Sequence, residues 1–482
     1  MIDDIRFEGS APLQQQLYQQ LSARILHQRF PPGSRLPASR LLAADLGISR
    51  NTVNAVYDQL KAEGFLQSRA GKGIFVHEDI NHRRLFEQQA DTSPIASAAL
   101  PPLPDPRLGA PAGTLRADGK ACLPFSPGLP DLEAFPIRAW NRVLHHQESR
   151  LALRGYGDFQ GYRPLRQAIA SYLRSSRGLR CGEHQVIITN GAQQGLSLIA
   201  DVFLQPGDRV LSENPGYRGA RYALERHGST LIPVPLKQQV LDVEALTRLG
   251  PAKLLYCTPT HQYPMGGILD ISQRMALVQW AMRNQTWIIE DDYDSEFHFY
   301  NKPFAAIQGM FDNAPVLYVG SFSKTLLPGL RVGYLVVPEA LVEAFVWHKR
   351  ISGGETPLLS QATIAEFMDS GQFSRHLRRM RQLYRDKWSH FQARVTEHLS
   401  GLVTPVAESA GMHLVLEGAF DDAEVSSKLR NLGYGSTPLS AHFIGTASRQ
   451  GLVMGFASAN AAQIDGCVEA LASVLSAGQG RA

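Results

Sequence analysis

The chain has 482 residues, 44% of them hydrophobic and 19% charged, and a formal net charge of +4 at pH 7. That length exceeds what one hydrophobic core serves, so two or three domains are predicted, and the composition excludes a disordered or fibrous protein. The charge is too mild to argue for nucleic acid by itself, and Cys122, Cys181, Cys257 and Cys467 lie too far apart for a CxxC zinc site or a disulfide framework.

In chain order, Leu13, Leu17, Leu21 and Ile25 recur every fourth residue and predict a first helix, which "FPPGSRLP" ends. "ASRLLAADLG" gives a second, closed by Gly47. A third opens at Ser49, a good N-cap, turns Val53, Val56, Tyr57 and Leu60 inward, and stops at Gly64. Helix, helix, glycine-containing turn and helix make a helix-turn-helix, with Arg50, Asn51 and Asn54 exposed near the start of its third helix. "FLQSRAGKGIFV" then reads as two short strands around a glycine-rich tip. There Gly71 and Gly73 let the backbone approach a phosphate or a minor groove, and Lys72 supplies charge. From Arg24 to Lys72 eight basic residues face three acidic ones, an excess greater than that of the whole chain. A small helical domain with a solvated basic face is the alternative. The run "LPASRLLAADLGISRNTVNAVYDQLKAEGFLQSRAGKGIFV" resembles the winged helix of GntR-type bacterial regulators. Position by position, the resemblance implies that Arg40, Arg50, Asn51, Thr52, Asn54, Gly71 and Lys72 meet DNA.

Residues 78–122 lack periodicity and are rich in Pro, Ala, Gly and Ser, so they read as a linker between residues 1–77 and 123–482. No basic head precedes an apolar run at the N-terminus, and no apolar run reaches about 18 residues, so a cytoplasmic protein that spans no membrane is expected. Beyond the linker, "QVIITNG", "RVLSENP", "KLLYCTP", "TWIIEDDY" and "VLYVGSF" alternate with amphipathic helical segments. That pattern predicts a doubly wound, mostly parallel α/β sheet whose strand ends converge on one crevice.

The strand ends carry chemistry. "TNGAQQGL" passes from a strand through Gly191 to a helix at Ala192, either a plain turn or a helix N-terminus offering N–H groups to an anion. In "WIIEDDYDSEF", Asp291 and Tyr293 point to one side of an extended chain, so a carboxylate and a phenol face one ring; an acidic turn or a metal site of Glu290, Asp291, Asp292 and Asp294 is the alternative. In "VLYVGSFSKTLLPGLRVGYL", Lys324 follows an apolar run that would lower its pKa and free the amine to form an imine, while Ser321, Ser323 and Arg331 suit a phosphate. An aldehyde, a phosphate, a phenolic oxygen and a pyridine nitrogen occur together in pyridoxal 5′-phosphate.

Residues 124–475 resemble fold-type I aminotransferases, on "FSPGLPDLEAFP", "GYGDFQGYRPLRQAIASYL", "ITNGAQQGL", "SENPGYRGAR", "TPTHQYPMGG", "IIEDDYDSEF" and "GSFSKTLLPGLRVGYL". With the winged helix, the whole chain resembles the MocR/GabR-type regulators of the GntR superfamily. The resemblance implies a winged helix-turn-helix followed by a fold-type I aminotransferase-like domain with a small C-terminal α+β subdomain. It implies an internal aldimine on Lys324, Asp291 at the pyridine nitrogen, Tyr293 at the phenolic oxygen, and Tyr217 stacked on the ring. Ala192, Gln193, Ser321, Ser323 and Arg331 would hold the phosphate. It further implies a head-to-tail homodimer, Tyr156 reaching the neighbour's phosphate, operator DNA and an amine or amino-acid effector as partners, with RNA polymerase as a further one. Two departures stand out: "HQYPMGG" replaces an asparagine-bearing turn, leaving that contact to His261 or Gln262, and "GLVMGFAS" lacks the arginine that grips a substrate carboxylate in the enzymes. Sensing rather than turnover is therefore expected, with an active aminotransferase as the alternative.

Overall fold

The computed structural model describes residues 5–7, 12–27, 29–69, 71–78, 123–299, 305–311, 314–406 and 411–479. The chain divides into two compact units, Met1–Ala117 and Asp118–Ala482. The linker expected at 78–122 lies outside the described residues except for Glu78.

In the first unit, helices α1 (Leu13–Leu26), α2 (Ser39–Leu46) and α3 (Arg50–Ala62) precede a two-stranded antiparallel wing, β1 (Leu66–Arg69) and β2 (Gly73–Val76). Leu17, Leu21 and Ile25 of α1 pack on Val53, Val56, Tyr57 and Leu60 of α3, and all seven are almost wholly buried. Leu13, the first member of the expected stripe, is instead 45% exposed, because it sits in the opening turn of α1 beyond the core. Ser49 Oγ accepts from Thr52 N at 3.1 Å and starts α3, while Gly47 at φ +65° closes α2. Truncating a core leucine here to alanine would cost about 2–5 kcal/mol, much of what so small a unit has.

The second unit is built on an eight-stranded sheet in the order β3 (Val186–Thr189), β10 (Gly333–Val336), β9 (Val316–Ser321), β8 (Trp287–Asp292), β7 (Leu254–Cys257), β4 (Arg209–Asn214), β5 (Thr230–Lys237), β6 (Val240–Leu241). The run from β9 to β5 is parallel. All five strands named from the sequence are present and buried along most of their length, as a sheet covered on both faces requires. Between β3 and β9 lies β10, antiparallel to both, which the sequence reading did not separate from the apolar run around Lys324. The connection from β9 is short, and a short connection can only return the chain antiparallel. A smaller antiparallel sheet, β11 (Thr404–Pro405), β12 (His413–Glu417), β14 (Gly451–Gly455) and β13 (Thr437–Pro438), packs with helices Asp422–Asn431 and Ala461–Gln479 to form the C-terminal α+β part.

Candidate functional site

Because β4, β7, β8 and β9 run parallel, their carboxyl ends share one edge of the sheet. A cavity of about 300 Å³ opens there, and Ala192, Gln193, Tyr217, Asp291, Tyr293, Ser321, Ser323, Lys324 and Arg331 all line it. The sequence named these nine from separate motifs. The fold brings them to one place.

Lys324 follows β9 and donates from Nζ to the carbonyl of Gly128 at 2.7 Å. Burial lowers its pKa, opposed by the carboxylates of Asp294 and Asp291. The side chain is only half-buried, since the cavity itself reaches it. Gly128, at φ +75°, is required there: a Cβ would stand 2.3 Å from Nζ.

Asp291 is buried at the end of β8 and accepts from Tyr256 Oη at 2.7 Å. Burial pushes its carboxyl up to about 7, and the Tyr256 hydrogen bond opposes that rise by favouring the ionised form. The neighbouring acids diverge. Glu290 accepts from the amides of Ile307 and Gln308, Asp292 pairs with Arg177 at 2.8 Å and with Tyr318, and Asp294 faces His261 Nδ1 at 3.0 Å. A shared metal site at 290–294 is thereby replaced by four separately occupied carboxylates.

Tyr293 Oη lies 2.7 Å from the same His261 Nδ1. A carboxylate only accepts, so the proton sits on Nδ1 and the phenol oxygen accepts from it; the phenol's own proton is then aimed elsewhere. Among the two residues expected to replace the asparagine contact, His261 therefore acts behind Tyr293 rather than in the cavity wall. Gln262 is corrected outright: its amide is spent on Glu213 Oε2, Pro215 O and Tyr263 O, and its carbonyl on Met265 N. It pins two loops together and does not line the cavity.

At the other end, the helix Ala192–Phe203 begins after Gly191, at φ +79°, with no side-chain cap on its first turn. Uncapped N–H groups and the helix dipole favour an anion there. A Cβ at Gly191 would meet Arg331 Nη2 at 3.2 Å, so the glycine also lets the guanidinium approach. Arg331 itself is held at φ +51°, a backbone that a residue with a Cβ adopts at roughly 1–2 kcal/mol. Ser321 Oγ and Ser323 Oγ lie 2.9 Å apart beside it. The set of one desolvated amine, one buried carboxylate, one phenol and an anion cradle fits pyridoxal phosphate.

Tyr156 is 96% exposed and away from this cavity within the protomer. In the first unit Arg40, Arg50, Asn51, Gly71 and Lys72 are exposed, and Asn54 is half-buried. Thr52 is largely committed to its own helix, its amide and hydroxyl both bonding Ser49 Oγ. Residues the sequence reading missed are Tyr256, Met412 and His413 in the cavity wall and Arg35, whose guanidinium lies beside Gly73 of the wing, while Asp294, which the sequence offered as a metal ligand, lines the cavity instead. A tyrosine alone in the apolar strand "KLLYC" was the available signal for the first, because a buried phenol needs a partner.

Comparison with known proteins agrees with this architecture. Residues 13–76 match the family of bacterial regulatory proteins of the gntR type, and residues 122–471 match aminotransferase class I and II. The chain is 38% identical to the "Probable rhizopine catabolism regulatory protein MocR" of Rhizobium meliloti over 93% of its own length and 91% of that protein's. It is 32% identical to the pyridoxine biosynthesis transcriptional regulator PdxR of Corynebacterium glutamicum, over 92% and 91%. Among solved structures, the α-aminoadipate aminotransferase LysN of Thermus thermophilus, complexed with N-(5′-phosphopyridoxyl)-L-leucine, superposes with a TM-score of 0.70 at 28% identity, covering 75% of this chain and 93% of that one. The chain belongs to the gntR family of bacterial regulators, in the MocR-type branch that joins a winged helix-turn-helix to an aminotransferase class I and II domain.

Proposed function

We propose that this regulator holds operator DNA with its winged helix and holds pyridoxal phosphate on Lys324, where it senses an amino compound. The observation that carries the reading is the company of Lys324: a desolvated amine in one cavity with a buried carboxylate and an uncapped helix N-terminus. When bound, the cofactor supplies an aldehyde for amines to condense with and an electron-withdrawing ring. Depression of its pKa leaves more of Lys324 as the neutral amine. Asp291 would hold a proton at the ring nitrogen, Tyr293 would donate to the phenolic oxygen, and Tyr217 would pack against the ring. Ala192 and Gln193 at the helix start, with Ser321, Ser323 and Arg331, orient the phosphate. His261 keeps Tyr293 in register.

Arg40, Arg50, Asn51, Asn54, Gly71 and Lys72 form the proposed DNA face, and two copies of the chain, each offering Tyr156 to the other's phosphate, would read a two-part site in the cytoplasm. The second reading, a working transaminase, is favoured by 36% identity to the 2-aminoadipate transaminase of Thermus thermophilus over 55% of this chain. The visible spectrum of the purified protein, followed with added amines and with keto acid assayed afterwards, tests the choice. A spectral shift without keto acid supports the sensor; accumulating keto acid supports the enzyme.

A further inference from the structure

Lys324 carries its amine on a flexible four-carbon stem, so the point that amine reaches depends on how firmly the backbone beneath it is held. The turn around it closes on itself, with Leu326 N donating to Phe322 O at 2.8 Å. The rest of the grip comes from one long helix, Gln372–His398. Its Phe373 ring meets Phe322, two residues before the lysine, with centroids 5.9 Å apart. One turn on, His376 donates from Nε2 to the carbonyl of Thr325, the residue just after the lysine, at 3.0 Å. Phe322, Thr325, Phe373 and His376 are all buried.

The same helix also holds the strip that Lys324 touches. Phe135 packs edge-on against the His376 ring at 5.6 Å, Tyr384 Oη accepts from Asp131 N at 3.0 Å, and Lys387 pairs with Asp131 at 2.7 Å. Gly128, whose carbonyl accepts from Lys324 Nζ, belongs to that strip. Burial pushes the His376 imidazole down to about 4, opposed by its bond to Thr325, so the ring is neutral. A carbonyl only accepts, which places the one ring proton on Nε2. Burying a polar ring is unfavourable unless it is hydrogen-bonded, and a phenyl group would serve packing alone. What the imidazole adds is a donor for a carbonyl one residue from the amine.

We propose that His376 is a positioning residue for Lys324, fixing the lysine backbone through the Thr325 carbonyl so that the amine meets the cofactor at one point. This rests on the reading that Lys324 carries pyridoxal phosphate. The test titrates the full-length protein with pyridoxal phosphate, following the visible band, and maps Lys324 after borohydride reduction. His376→Phe keeps a ring against Phe135 and removes the donor, whereas His376→Gln keeps a donor at much the same reach as Nε2. The Phe variant should bind the cofactor about tenfold more weakly, a difference of about 1.4 kcal/mol, while the Gln variant stays within about twofold of the wild type. A far-ultraviolet melt is recorded for each, because a role in packing alone would lower the melting temperature without moving the cofactor titration. Unchanged affinity in His376→Phe, or an equal loss in His376→Gln, overturns the inference and leaves the cofactor reading in place. If His376→Phe fails to fold, His376→Met replaces it in the same comparison; failure of both apolar variants to fold makes His376 a structural residue and also overturns the inference. If the wild type is not labelled at Lys324, the cofactor reading fails and the inference with it.

Discussion

At the scale of single residues, the site is legible where a side chain has one chemical use and illegible where it has several. A lone lysine after an apolar strand, with two serines and an arginine around it, points to an imine and a phosphate from the sequence alone. Lys324→Ala should leave the far-ultraviolet spectrum and the oligomer unchanged while abolishing borohydride-stable cofactor incorporation; collapse of the oligomer would make the lysine a structural element. Gln262 was misread because an amide can serve a ligand or a loop with equal ease, and here Glu213 and two carbonyls claim it. Tyr256 went unnoticed because its role depends on a register between neighbouring strands, which pairs it with Ile289 and so sets its phenol beneath Asp291. Tyr256→Phe removes the donor that favours ionised Asp291, so the carboxyl should rise further and cofactor affinity should fall by about 1–2 kcal/mol, read as a five- to thirtyfold weaker spectrophotometric titration.

At the scale of elements, helices and parallel strands were readable from periodicity and punctuation. Ser49 as N-cap and Gly47 and Gly64 at positive φ are local signals, satisfied within a few residues of themselves. The antiparallel strand β10 was not readable, because "RVGYLVV" has the same apolar character as its parallel neighbours and only tertiary pairing sets its direction. The recognition helix yields its own prediction. Arg50 is exposed in the first turn of α3, where it can reach a phosphate or a base edge. Arg50→Ala should weaken operator binding in gel shift by about 1–3 kcal/mol with the visible spectrum unaltered. Loss of affinity that is equal on all sequences, with a salt slope reduced by about one, would mark it as a phosphate contact.

At the scale of the whole molecule, two compact units followed from length and composition, while the pairing of copies did not. Tyr156, 96% exposed on its protomer, is proposed above to reach a second copy of the chain. Tyr156→Phe should weaken cofactor retention about tenfold without changing the sedimentation coefficient of the dimer; unchanged retention would remove Tyr156 from the site. Buried acids also give the fold a pH signature. Burial raises Glu213 to about 7, above the unfolded value of about 4.3. The folded state therefore binds the proton more tightly, so the stability this group contributes is complete below about pH 4 and is lost as pH rises through about 7. Glu213→Gln should remove that dependence: the melting temperature of the wild type, relative to the variant, should fall between pH 5 and pH 8 and level off above.

The hairpin of β9 and β10 has one more implication. Ser321 and Gly333 face each other across it, so Ser321, Ser323, Lys324 and Arg331 all sit on or beside a single short loop. The amine and much of the anion grip are thus inherited together, as one contiguous stretch of gene. A frame-preserving deletion in that loop would erase both at once, although β4, β5, β7 and β8 of the sheet lie outside it in sequence.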